Sequence, residues 1–177
     1  MAGHSKWTQI KRQKGATDIQ KSKIFSKLAK VISIAARKGN DPDTNAELRA
    51  AIDKAKAENM PSDNIDRAIK KGGGGADGEK LESIRYEAYG PGGAAVIIDT
   101  ITDNSNRTVA EIKHILNENN AKLAERGSVL WAFDLTGARP TPKTTTGLSP
   151  ADKEALSKLV EILSNHDDVQ ETYTNIR

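Results

Sequence analysis

The chain has 177 residues, enough for one medium domain or two small ones, and its 36% hydrophobic content implies a thin or divided core. It has no cysteine, which excludes disulfides, thiolate catalysis and Cys-ligated zinc. Residues 1–38 carry ten Lys/Arg against the single acid Asp18, whereas the remainder carries 17 Lys/Arg against 23 Asp/Glu, so the net charge of +3 conceals a basic arm on an acidic body. That plan suits a polyanionic partner. No apolar run approaches the roughly 18 residues of a membrane helix, and residues 1–7 lack the apolar stretch of a secretory signal. A cytoplasmic protein with no membrane partner is expected, in which the Asn106-Arg107-Thr108 sequon is never glycosylated.

In chain order, residues 1–19 predict an extended or partly helical arm. Residues 20–38 predict a helix, with Ile24, Phe25, Leu28, Val31, Ile32 and Ala35 on one face and Gly39 as its C-cap. Lys23, Lys27, Lys30 and Arg37 recur at i, i+4, i+7 and i+14, which places them in one stripe nearly opposite the apolar face. Asp41-Pro42-Asp43 is a turn. Thr44 with Glu47 has the capping-box pattern for a helix through about Asn59, and a short helix follows over Asn64–Lys71. Four glycines from Gly72 to Gly75, then Ala76-Asp77-Gly78, make a linker and a domain boundary.

Beyond it the period changes. Ser83–Tyr89 and Ala94–Ile101 predict a hairpin around Gly90-Pro91-Gly92-Gly93. A helix follows over Arg107–Asn119, a third strand over Val129–Phe133 and an edge strand near Thr144. Ser149 and Pro150 open another helix, and Asp168–Thr174 is a final strand. The fold class expected is α+β: an N-terminal helical domain over 1–75, then a ferredoxin-like α+β sandwich over 79–177.

The basic segment carries most of the chemistry. Lys6, Lys11, Arg12 and Lys14 of the arm join the helical stripe as phosphate-neutralising groups. Trp7 among them either stacks on an unpaired base or folds back into the helical core. Arg107 stands near a helix N-terminus, where a cation is mildly unfavourable unless it meets an anion. Gly73, Gly75 and Gly78 match G-x-G-x-x-G only formally, because a helix and not a strand precedes them. His4, His114 and His166 lack ligand spacing, so no metal site is expected. Neither a nucleophile set nor an isolated carboxylate pair is evident, and neither enzyme activity nor a cofactor is expected.

The opening Met1-Ala2-Gly3-His4-Ser5-Lys6-Trp7 is joined in order by several further segments. They are Asn59-Met60-Pro61, Arg67-Ala68-Ile69-Lys70, Arg85-Tyr86-Glu87, Tyr89-Gly90-Pro91-Gly92-Gly93, Thr102-Asp103-Asn104, Asn106-Arg107-Thr108, Gly127-Ser128-Val129 and Asp168-Val169-Gln170, with Asp63-Asn64-Ile65, Tyr173 and Asn175. Together they closely resemble the YebC/PmpR family from end to end. Ala88, Ser105 and Arg126 depart from its pattern, which usually shows Gly, Arg and an acidic or small residue there. The resemblance implies a three-domain design, with the third domain inserted after a strand ending near Phe133. Here Leu135–Pro140 runs directly to Pro142-Lys143, so that domain is expected to be absent near 135–142. The resemblance also implies either DNA-binding transcriptional regulation or action on the ribosome. Regulation of translation through rRNA and ribosome binding is the first expectation and DNA binding with transcription regulation the alternative. His4 and Trp7 would provide contact or stacking and Arg107 a secondary anchor. A protein partner on the acidic domain is a third possibility.

Overall fold

The computed structural model describes residues 3–74 and 80–176, with side chains from residue 15 onward. It divides into two compact units, Met1–Glu79 and Lys80–Arg177.

The first unit is built on α1 (Gly3–Ala36). This corrects the expected arm followed by a helix over 20–38, because one helix spans both. Residues 4–22 contain no proline and several good helix formers, and one interior glycine, Gly15, costs only about 1 kcal/mol against alanine. A helix of this length spans about 50 Å. Residues 15–22 are exposed throughout. Packing begins at Ile24, where α1 meets α2 (Ala46–Ala57) and α3 (Ser62–Gly72). Leu28, Ile32, Ala35 and Ala36 are buried against Leu48, Ala51, Ile52, Ala55, Ile65 and Ala68, each large side chain contributing about 1.5–3 kcal/mol. The Ser33 hydroxyl donates to the Ala68 carbonyl at 2.8 Å. A Cβ at Gly72 would collide with the Ser33 carbonyl oxygen, so glycine lets α3 approach α1.

The expected capping box at Thr44 and Glu47 is also corrected. Asn45 is the N-cap of α2, accepting from Leu48 N at 3.1 Å. Its amide donates at 2.8 Å to the carbonyls of Ala35 and Gly39, so one buried side chain closes the end of α1 and the start of α2. Threonine has no second donor for that task. Thr44 instead turns back on Asp41 O, and Glu47 pairs with Lys38 at 2.6 Å. Asn45→Asp keeps the cap but loses both donors and sets a carboxylate against two carbonyls. It should cost about 2 kcal/mol, measured by chemical denaturation, with Asn45→Ala as the comparison.

The second unit holds a four-stranded sheet, order β3-β1-β2-β6, with every neighbouring pair antiparallel. β1 (Glu82–Tyr89) and β2 (Ala95–Thr102) form the expected hairpin, with Tyr89 opposite Ala95. Gly92 and Gly93 of its turn take φ of 67° and 78°, a left-handed backbone that glycine adopts without strain. α4 (Ser105–Glu118) carries the chain across β1 to β3 (Lys122–Ala124), a split β-α-β unit of the ferredoxin-like kind. α5 (Pro150–Ser164) leads to β6 (Val169–Thr174). The α+β class is as expected. β2 is apolar on both faces: Val96 and Ile98 pack with Ile112, Leu116, Leu156, Leu159 and Leu163 from the helices, while Ala95 and Ile97 pack with Val129, Ala132 and Phe133.

The expected strand over Val129–Phe133 is a correction. Residues 130–132 form a 3-10 turn, and the sheet strand lies earlier, at Lys122–Ala124. Val129, Ala132 and Phe133 are buried while Trp131 is exposed, the spacing of a tight helical turn and not of alternation. β4 (Phe133–Asp134) pairs with β5 (Thr141–Pro142) as a separate two-stranded ribbon. Near the expected edge strand at Thr144, Thr146 makes a single bridge to Ile176.

Candidate nucleic-acid interface

The cationic stripe lies on the stretch of α1 that is packed from its other side. Ile24, Leu28, Ile32 and Ala35 fix the rotation of the helix against α2 and α3. Lys23, Lys27 and Lys30 therefore fall on the outer side, over about 10 Å of helix axis, and Arg37 follows in the turn just past the end of α1, which is shorter than the helix expected through residue 38. Lys23, Lys27 and Lys30 are half-buried and Arg37 is exposed. Such side chains lay aliphatic stems along the helix and deliver their charge at the tip. His4, Lys6, Trp7, Lys11, Arg12 and Lys14 sit on the backbone of the same helix, and their side chains lie outside the described residues.

Arg107 meets an anion, and that anion belongs to its own chain. Asn104 caps α4 by accepting from Arg107 N at 3.1 Å. The Arg107 guanidinium donates to Asp168 Oδ2 at 2.8 Å and Asp103 Oδ1 at 2.9 Å, with Glu111 Oε2 at 3.9 Å. These bonds, to Asp168 first and then Asp103, raise its pKa. Asp168 is buried and also accepts from the Thr108 hydroxyl at 2.7 Å, and Thr108 and Thr102 share a 2.8 Å hydroxyl bond. A phosphate reaching Arg107 would compete with three carboxylates already in place. Burial, and then the charge of Asp168, also raise the Tyr86 hydroxyl above its ordinary value.

Glu111, His166 and Asp168 bring possible ligand atoms within 4.8 Å of one another, a grouping the sequence spacing does not reveal. Its chemistry is that of an ion-pair network. His166 Nδ1 accepts from Asp168 N at 3.1 Å, which leaves Nε2 to carry the proton toward Glu111 Oε2 at 2.9 Å. The Arg107 guanidinium already occupies the cation's place. Asp168→Ala should cost about 2 kcal/mol through lost charge-assisted bonds; unfolding should detect this with nucleic-acid binding little changed.

Two further polar residues join distant segments. Glu87 is buried and accepts from Gly127 N at 2.6 Å and Val129 N at 2.8 Å. Asn175, also buried, accepts from Ala95 N at 2.8 Å and donates to Thr144 O and Thr146 Oγ1, each at 3.1 Å. The sequence signals Glu87 and Gly127-Ser128-Val129 as separate motifs, and the contact between them is what they have in common.

The class defined by these features is a two-unit protein, a helical unit with a long basic helix and an α+β unit whose joints are buried polar residues. The family model of the TACO1/YebC protein N-terminal domain matches residues 5–75, and that of the TACO1/YebC second and third domain matches residues 81–139. The chain belongs to the TACO1/YebC family. It is 46% identical over 177 residues to a "Probable transcriptional regulatory protein" of Desulfosudis oleivorans, covering 99% of this chain and 72% of the relative. A Geotalea uraniireducens protein of the same description is 54% identical over 145 residues, 81% of this chain and 59% of its own length. A Desulforamulus reducens relative, also so described, aligns over 238 positions at 37% identity, covering 99% of this chain and 98% of itself. A crystal structure of a conserved hypothetical protein from Aquifex aeolicus superposes with a TM-score of 0.83 at 29% identity, covering 90% of this chain and 91% of that one. No helix among the described residues is long and apolar enough to cross a membrane.

Proposed function

We propose that the chain is a non-catalytic, nucleic-acid-associated regulator of gene expression that binds RNA on the ribosome and supports translation. The observation that carries this reading is the stripe of Lys23, Lys27 and Lys30 on a helix whose opposite face is committed to the core, with Arg37 just past the helix end. Lys6, Lys11, Arg12 and Lys14 extend the basic charge along the same helix, with His4 and Trp7 for contact or stacking. Arg107 is at most a secondary anchor. The relatives' description as transcriptional regulators supports the coarser reading, a nucleic-acid partner. The alternative, promoter DNA, rests on that description. RNA is favoured because the stripe supplies phosphate contacts and no arrangement for reading base edges in a groove.

The reading extends to domain content. The 238-position alignment against 177 residues here supports a segment in that relative with no counterpart in this chain. The pairing of Phe133–Asp134 with Thr141–Pro142 supports 135–142 as the place where a third domain is missing, since the chain closes there through a short hairpin.

Each lysine that neutralises a phosphate contributes about 0.7–0.9 to the slope of log affinity against log salt. Changing Lys23, Lys27 and Lys30 to alanine should therefore flatten the slope for a single-stranded RNA by about 2, read by fluorescence anisotropy. An unchanged slope would remove the stripe from the interface. A promoter-sized DNA preferred over both RNA and random DNA would support transcription regulation instead.

A further inference from the structure

Among the described residues the exposed large hydrophobic side chains are Ile19, Tyr89, Trp131 and Leu135, and three of these four belong to the α+β unit. Trp131 is 59% exposed and Tyr89 is 38% exposed. Their polar atoms converge on one acceptor. Trp131 Nε1 donates to Ser128 O at 2.9 Å, and the Tyr89 hydroxyl donates to the same oxygen at 2.9 Å. Each ring has thus placed its N–H or O–H donor on the same backbone carbonyl, which fixes the orientation of two partly exposed rings. The acceptor is fixed in turn, because Glu87 grips the backbone on either side of it at Gly127 and Val129.

The surroundings are cationic. Residues 120–147 carry Lys122, Arg126, Arg139 and Lys143 against Glu125 and Asp134, whereas residues 80–177 together carry 11 Lys/Arg against 14 Asp/Glu. Lys122 is the cross-strand partner of Tyr89, and Arg126 is exposed on the turn that Glu87 holds. Arg139 lies 3.8 Å from Glu171, whereas Lys122 is tied to Tyr89 by cross-strand pairing and Arg126 by the turn whose Ser128 carbonyl both rings bond.

We propose that Tyr89 and Trp131 form a stacking platform for an unpaired nucleobase, with Lys122 and Arg126 meeting the adjoining phosphates. Aromatic rings beside cations are the means by which proteins hold single strands without reading sequence. Prepaid orientation lowers the entropy lost on binding. Cations flank the two rings, whereas the buried core of a protein interface is depleted of charge, so the setting suits a polyanion better than a protein partner. The inference deepens the nucleic-acid reading and rests on it, but it places a second contact on the other unit and commits that contact to single strands.

The test measures anisotropy of a labelled 12-nucleotide single-stranded RNA and of its duplex, at physiological salt, with the full chain. Trp131→Leu keeps apolar bulk and loses the π face, and Trp131→Phe keeps a ring. Loss of stacking at one base weakens binding by about tenfold. The expected result is that Trp131→Leu binds the single strand about tenfold more weakly and the duplex as before, while Trp131→Phe retains most of the affinity. Melting curves check that each variant folds. Wild-type single-strand affinity in Trp131→Leu would overturn the platform. So would a dimer, seen by analytical ultracentrifugation, that Trp131→Leu dissociates, because the occupant would then be a second copy. The Lys23, Lys27 and Lys30 alanine variant separates the two proposals: it loses single strand and duplex alike if the helical stripe binds, whatever Trp131 does.

Discussion

Replacing Glu87 with alanine should destabilise the α+β unit by about 3–5 kcal/mol, since two charge-assisted bonds are lost and a buried N–H is left without a partner. Glu87 sits on β1 and its two acceptors hold Gly127 N and Val129 N, 40 and 42 residues along the chain. Val129 is fully buried and packs with Ala132 and Phe133 on the sheet face that carries Ala95 and Ile97. Release of the turn therefore loosens the cover of one entire face. For a unit of this size a loss of that order lowers the melting temperature by roughly 10–30 °C. Glu87→Gln offers one acceptor where two are needed and turns its amide toward the other N–H, so about half the effect is expected. Thermal unfolding followed by circular dichroism measures both. Wild-type melting of Glu87→Ala would show that the turn is held by its own packing and not by the carboxylate.

The second large effect concerns binding. Reversing Lys23, Lys27 and Lys30 to glutamate takes the net charge from +3 to −3 and reverses the stripe while leaving Leu28, Ile32 and Ala35 in the core. Three lost phosphate contacts at about 1 kcal/mol each correspond to a loss of affinity on the order of a hundredfold, and repulsion adds to it. The helix itself should persist, because glutamate and lysine have similar helix propensity.

Much of this architecture was legible locally. Ile24, Leu28, Ile32 and Ala35 keep the helical period, and they set both the core of the first unit and the side on which the lysines emerge. The hairpin was legible from Gly90-Pro91-Gly92-Gly93 between two apolar runs, and α5 from Ser149 with Pro150. What the sequence hid was decided by partners far along the chain. Val129–Phe133 has strand composition, yet its burial follows a 3-10 turn because Glu87 bends the backbone just before it. Asn45 outcompetes Thr44 as a cap because the end of α1 needs donors that only an amide supplies. Arg107 at a helix N-terminus was a sound signal for an anion, but the anion is Asp168, 61 residues away. The motif residues Glu87, Thr108, Asp168 and Asn175 carry no pattern that would mark them as joints of the fold, since each acts through partners distant in the sequence.

The proposed action on the ribosome runs through the basic helix. Co-sedimentation with purified ribosomes on a density gradient, at low and at physiological salt, tests it most directly, with the Lys23, Lys27 and Lys30 to Glu variant run beside the wild type. The wild type should travel with ribosomes at physiological salt and the variant should stay at the top. A wild type that stays at the top while shifting promoter DNA over random DNA would contradict it, and would make the chain a DNA-binding regulator.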